Sequence, residues 1–235
     1  NAILPGVLML ILQQTLLLGI GLAAGTAREN NRFKDLVPIS MHYNGIFRIV
    51  LGKSLCYFMI YMVMGAYLAL VIPHLYHFTS LVSAQAIIGL MVPYILACTF
   101  FGMMLSCLVR YRENVMLLVV FSSVPFLFMT GLSWPQSNIP GFWQGVATII
   151  PSTFGVRGFM RISSMGATLQ DIQTEYQALW IQVLVYFFAT CVVYRYQIIS
   201  TRRRAFNHMQ RLKEMAETAK QQKGAGSDID TQKDS

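Results

Sequence analysis

The residues able to do chemistry are few, and most stand where chemistry is hard to do. His74 and His77 lie three residues apart, inside "PHLYHFTS" at 73–80. A metal centre needs about four ligands, and no further ligand stands near this pair in the sequence. Cys56, Cys98, Cys107 and Cys191 fall within or at the ends of apolar runs, without CxxC spacing. They read as small apolar packers, not as a metal set or a disulfide framework. There is no GxxxxGK[ST], no HExxH and no GxSxG, so the chain cannot by itself cradle ATP phosphates in the usual way. No catalytic residue is assigned and no metal is expected. What stands out is Gln13, Gln14 and Thr15 inside "LILQQTLLL". Two amides and a hydroxyl are costly in hydrocarbon unless they face protein or a wet cavity. They can line a substrate path or a subunit seam, or they can simply join helices by hydrogen bonds.

The elements that carry these groups follow from where charge is missing. Of 235 residues, 55% are hydrophobic and 12% charged, about half the charged fraction of a soluble domain. No charge occurs in 1–27, 54–109, 114–156 or 176–194. A helix crosses the hydrocarbon core with roughly 20 apolar residues. These windows predict five spans, at 4–26, 54–72, 82–108, 115–132 and 178–196, in an all-α polytopic membrane protein. Pro73 and the polar "PHLYHFTS" divide the second window. Gly21 and Gly25 form a GxxxG, and Cys98, Gly102 and Ser106 repeat a small-residue spacing. Both point to close helix packing or a dimer seam.

Five spans place all but Arg157 and Arg161 of the 18 Lys and Arg on one side, which makes that side cytoplasmic. The net charge of +8 then reports topology and contact with anionic membrane lipids, not nucleic-acid binding. The C-terminus is expected in the cytoplasm, as a basic tail over 201–235 that is disordered at its end. The chain starts with Asn on the outer side, without a signal-peptide pattern. The expectation is a fragment that lacks at least one earlier span.

Two connections carry the remaining information. In 28–37, Phe33, Leu36 and Val37 share a helical face, with Arg28, Glu29, Arg32 and Asp35 around it. This short helix suits a lipid surface or a docking site for a cytoplasmic partner, and composition does not separate the two. On the other side, 133–155 is uncharged and broken by Pro135, Pro140 and Pro151. The ten residues between the last two prolines cover only ~15 Å as a helix, half a span. Trp134 and Trp143 favour a membrane interface. The segment therefore lies on the outer leaflet or re-enters it. The stretch after it, "FGVRGFMRISSMGATLQDIQTEY", reads as a further short helix or an external lip.

The order "LPGVLMLILQQT", an amphipathic cytoplasmic helix, Pro38-x-Ser40…Gly52-Lys53, and then "GLSWPQSNIPGFWQGVATIIP" resembles the type-2 family of ABC transporter permeases. The resemblance covers about residues 3–200, as one transmembrane permease domain. It makes the five spans the family's second to sixth. It implies an ATP-driven exporter subunit of the bacterial cytoplasmic (inner) membrane, moving a hydrophobic or amphipathic substrate. It implies pairing with a second permease subunit, as homodimer or heterodimer, and with a cytoplasmic ABC ATPase that binds ATP and Mg; this chain itself would bind no cofactor. It makes 28–37 the coupling helix, with Glu29, Arg32, Phe33, Asp35 and Leu36 as contact residues. It makes Trp134, Pro135, Pro140, Trp143 and Pro151 an external gate built on re-entrant helices. Many relatives have Gly-Thr after the coupling helix's acidic residue, where this chain has Asn31-Arg32-Phe33. The residues alone also fit an ion-coupled transporter or channel, although no charge lies mid-span, or a membrane scaffold without transport.

Overall fold

The computed structural model describes residues 3–30, 45–71, 84–107, 109, 111–131, 140–200 and 210. Seven helices account for nearly all of them. α1 is Ile3–Glu29, α2 Gly45–Ala66, α3 Ala84–Ser106, α4 Arg112–Met129, α5 Gly141–Ile149 and α6 Pro151–Met165; α7 is Gln173–Ser200. α2 runs on into a π-helical turn, Tyr67–Val71. No strand occurs among the described residues. Five of the helices (α1, α2, α3, α4 and α7) are long and apolar enough to cross a membrane, so the chain is an all-α polytopic membrane protein.

α2 starts nine residues before the charge-free window at 54. Arg48 and Lys53 are accommodated in its first turns because long basic side chains can lie along a helix and end in a polar layer. Lys53 Nζ stands 5.4 Å from the centre of the Tyr194 ring. α1 stays helical through Glu29, so the short amphipathic helix expected from residue 28 begins inside the end of a span. The rest of that element, 31–37, lies outside the described residues.

α3 is the central helix. In its most apolar stretch 72% of residues are buried, against 11% in α4. It packs on α1, α2 and α6. Tyr94 fixes the register of three elements. Its ring is fully buried and its hydroxyl donates to the Met9 carbonyl at 2.8 Å. A Cβ on Gly155 would stand 2.2 Å from the same ring. α6 can reach this depth only because residue 155 has no side chain.

The small-residue patterns prove to be seams within the chain. A Cβ on Gly21 would stand 2.5 Å from Val115 Cγ1, and one on Gly25 would stand 3.0 Å from Arg112 Cα. The GxxxG of α1 therefore seats α4. Gly102 of α3 does the same for Leu17 and Ile20 of α1. In hydrocarbon, such close approach replaces the hydrophobic effect as the source of helix association.

Gly155 and Gly145 provide a matched test. Gly155→Ala drives a methyl group into a Tyr94 ring that cannot withdraw, and should cost about 1–3 kcal/mol. Gly145→Ala in α5 meets nothing within 4 Å and should stabilise by up to about 1 kcal/mol through helix propensity. Thermal unfolding of the two purified variants in detergent checks the difference; equal stabilities would contradict the close packing of α6 on Tyr94.

Candidate functional site: a proline-framed corner over a buried polar layer

Pro140 and Pro151 each stand at the start of a short helix. Pro140 precedes α5 and its carbonyl accepts from Gln144 N–H at 3.1 Å. Pro151 is the first residue of α6, where a missing N–H costs nothing. Ile150 between the helices is extended, with φ −90° and ψ 121°, as the residue before a proline prefers. α5 and α6 thus form a hairpin with its corner at residues 148–151.

α7 sets how deep that corner lies. Gln182 Nε2 donates to the Thr148 carbonyl at 2.6 Å, and the Tyr186 hydroxyl donates to the Ile149 carbonyl. Measured along α7 from Gln173, these residues are ~14 and ~20 Å in. α7 has 28 residues, or ~42 Å, so the corner reaches nearly half-way down it. From there α6 runs back toward the start of α3, placing Gly155 at Tyr94 and Gly158 at Leu90. The expected half-length helix is present as α5, and its C-terminal end lies well inside the length of α7. The stretch after it forms the expected further helix, α6, and this helix is packed into the bundle. Ser152, Thr153, Gly155, Val156, Gly158, Phe159 and Ile162 of α6 are buried. It ends at Gly166, whose φ of 63° supplies the left-handed cap. Beyond it, Thr168 N–H and hydroxyl both donate to Asp171 Oδ2 at 2.8 Å, which holds that carboxyl below the usual range.

A polar layer meets the hairpin corner. One turn below the Tyr94–Met9 contact, the Cys98 thiol donates to Gln13 Oε1 at 3.3 Å. The first turn of α6 lies at the same level, since Ser152 and Thr153 are two to three residues below Gly155. Gln13, Gln14, Ser152, Thr153 and Gln182 are all buried. Gln13 Nε2, both amide atoms of Gln14, Ser152 Oγ, Thr153 Oγ1 and Gln182 Oε1 have no protein hydrogen-bond partner. Leaving such groups unmet in an apolar interior costs about 1–3 kcal/mol each. The layer is uncharged, so it can hydrogen-bond a polar group of a ligand or a water without holding a fixed ion. Thr15 does not belong to it: this residue is exposed and its hydroxyl bonds back to the Ile11 and Leu12 carbonyls at 3.0 Å.

At the opposite, basic end, the last turn of α1 clasps the α3–α4 connection. Arg28 Nη2 donates to the Cys107 carbonyl at 3.1 Å and Nη1 donates to the Val109 carbonyl. Glu29 Oε1 accepts from Arg112 N–H at 3.1 Å, an acidic group at the first turn of α4, where the helix dipole favours it. Of the other expected coupling residues, Arg32, Phe33, Asp35 and Leu36 lie outside the described residues. So do Trp134 and Pro135. Trp143 is exposed on α5, with Phe142 and Ile149, so the apolar face of α5 points away from its own bundle.

Sequence reasoning did not find Ser152, Thr153, Gln182, Tyr186, Glu175 or the Arg28 clasp. Gln182 and Tyr186 carried a usable signal, as hydrogen-bonding side chains four apart within an uncharged run. Among the described residues no group of His, Cys, Asp and Glu could hold a metal.

Residues 1–192 match the family described as ABC-2 family transporter protein. No curated protein matches the chain, and no solved structure does. The match covers α1 to α6, most of α7 and the polar layer, and the chain belongs to the ABC-2 family of transporter proteins, as a multi-pass membrane subunit of an ABC transporter and not itself a catalyst.

Proposed function

We propose that the chain is the permease subunit of an ATP-driven exporter in a bacterial inner membrane, with its basic end and C-terminus in the cytoplasm. Family membership carries the reading. Two such subunits pair, and a separate cytoplasmic ABC ATPase, holding ATP and Mg, docks under each. The substrate is hydrophobic or amphipathic and leaves from the cytoplasm or the inner leaflet. Its polar part is passed along the Gln13–Gln14 layer, and the hairpin framed by Pro140 and Pro151, with Trp134, Pro135 and Trp143, shapes the outer gate.

The mechanical side of the proposal uses the clasp. Residues 31–37 follow directly on Arg28 and Glu29, which hold the α3–α4 connection. A push on Phe33, Asp35 and Leu36 by the ATPase would reach α1, α3 and α4 together. The three helices would then move as one body, since their seams are glycine contacts with no room to slide.

Two experiments test this. Replacing Phe33 and Asp35 with Ala should lower both co-purification of the ATPase and its stimulated hydrolysis, whereas Arg28→Ala should keep co-purification and lower stimulation roughly tenfold, as expected when charge-assisted hydrogen bonds are lost. Unchanged binding and hydrolysis in the first variant would end the coupling assignment.

For the polar layer the variant is Gln14→Leu. It removes amide atoms that have no protein partner, so thermal stability should hold or rise. Transport in vesicles should fall roughly tenfold, the loss of one hydrogen bond to the substrate. A stable variant with full transport would remove Gln14 from the path.

A further inference from the structure

The outer end of the bundle carries two arginines and one glutamate in a small space. Arg161 Nη1 lies 2.8 Å from Glu175 Oε1. Glu175 is only 4% exposed. Arg157 also faces the Glu175 charge, so a single carboxylate serves two guanidiniums. Arg157 lies one turn before Arg161 on the same face of α6 and is half-buried. Its Nε has no hydrogen-bond partner, and its guanidinium carbon stands 5.8 Å from the centre of the Phe154 ring. The cluster therefore carries one uncompensated positive charge. A partly desolvated guanidinium is costly unless an anion faces it.

Its depth narrows the kind of anion. Gly155 lies at Tyr94 and Gly158 at Leu90, ten and six residues inward from the start of α3. The backbone of Arg157 is thus roughly 10–15 Å below the outer end of that helix. Its guanidinium stays beside Phe154, one turn nearer the hairpin corner, so an anion that reaches it must be carried below the head-group layer by an amphipathic molecule. The planar fork of the guanidinium matches the oxygens of a phosphate in a bidentate way. The uncharged layer of Gln13, Gln14, Ser152 and Thr153 lies deeper on the same hairpin and offers no competing charge.

We infer that Arg157 is the receptor for the phosphoester head group of an anionic amphipathic molecule held against α6 in the outer half of the bundle. Glu175 sets the affinity because it is the single carboxylate that Arg157 and Arg161 share. The inference deepens the transport reading by naming a substrate class and rests on it for that role alone. Binding can be measured without an ATPase, so a failure of coupling and a failure of anion recognition are read separately.

The experiment uses the purified full chain in nanodiscs of phosphatidylcholine containing a minority of phosphatidylglycerol. Native mass spectrometry reads the phosphatidylglycerol retained. Arg157→Gln should lower retention roughly tenfold. Arg161→Gln should lower it as well, because Glu175 then serves Arg157 alone. Glu175→Gln should raise retention above the native chain. The double variant Arg161→Gln with Glu175→Gln should return to the native level, since the cluster again carries one net positive charge. A purely structural role for the cluster predicts no such reversal. Native-like retention in Arg157→Gln, or a double variant as weak as Arg161→Gln alone, would overturn the inference. If Arg157→Gln does not fold, Glu175→Gln and the double variant decide it. Glycerol phosphate added from water separates the sources. Displacement of the lipid makes a soluble phosphoester sufficient, and no displacement assigns the site to a lipid; in both cases the order of the variants must hold.

Discussion

Backbone that enters a bilayer without crossing it must have its polar groups met by protein, because lipid offers no hydrogen bonds. Under the proposed function, the corner at Thr148–Pro151 is where this chain faces that constraint. Gln182 and Tyr186 of α7 answer it by donating to the Thr148 and Ile149 carbonyls, and Pro151 removes one N–H that would otherwise need a partner. The rest of this half of the bundle follows from this arrangement. α6 must return along α3, so Gly155 must lack a side chain beside Tyr94. The first turn of α6 then comes level with Gln13, and an uncharged polar layer forms at the deepest point that the hairpin reaches.

The two ends of the bundle are joined by the same helices. α1 and α3 carry the Tyr94–Met9 and Cys98–Gln13 contacts near the hairpin corner. At their other ends they carry Arg28 and its carbonyl acceptors. Under the proposed function this gives a direct route from the coupling segment to the polar layer, through tightly packed helices and not through a flexible chain of contacts. The exposed apolar faces of α2, α4, α5 and α7 remain for lipid and, in the proposed dimer, for the second subunit.

Much of this was legible because charge is excluded from hydrocarbon. The charge-free windows located the spanning helices, and the short interval between Pro140 and Pro151 ruled out a span there. Sequence reasoning fell short where packing depends on size, not polarity. The buried face of α6 is made of Ser152, Thr153, Gly155 and Gly158 beside a few apolar residues, and its other face bears Arg157 and Arg161. Such a helix looks external by composition, yet its small residues are what let it enter. The GxxxG of α1 was visible, but nothing in one sequence says that Val115 and Arg112, not a second chain, fill its groove. Gln13 and Gln14 stood out as polar groups in an apolar run; that Thr15 turns away from them follows from helical phase relative to α3, which needs the partner helix to be known.

Depth of the hairpin corner is the central claim, and spin-label accessibility measures it most directly. In a chain whose four native cysteines are replaced by serine, a label at Thr148, which is exposed on α5, is compared with one at Phe142 near the outer start of that helix. The account predicts that Thr148 lies deeper by ~9 Å, the rise of six helical residues, with high oxygen and low nickel-complex collision rates in a reconstituted bilayer. Equal nickel-complex accessibility at both positions would place α5 flat on the surface and contradict the re-entrant hairpin.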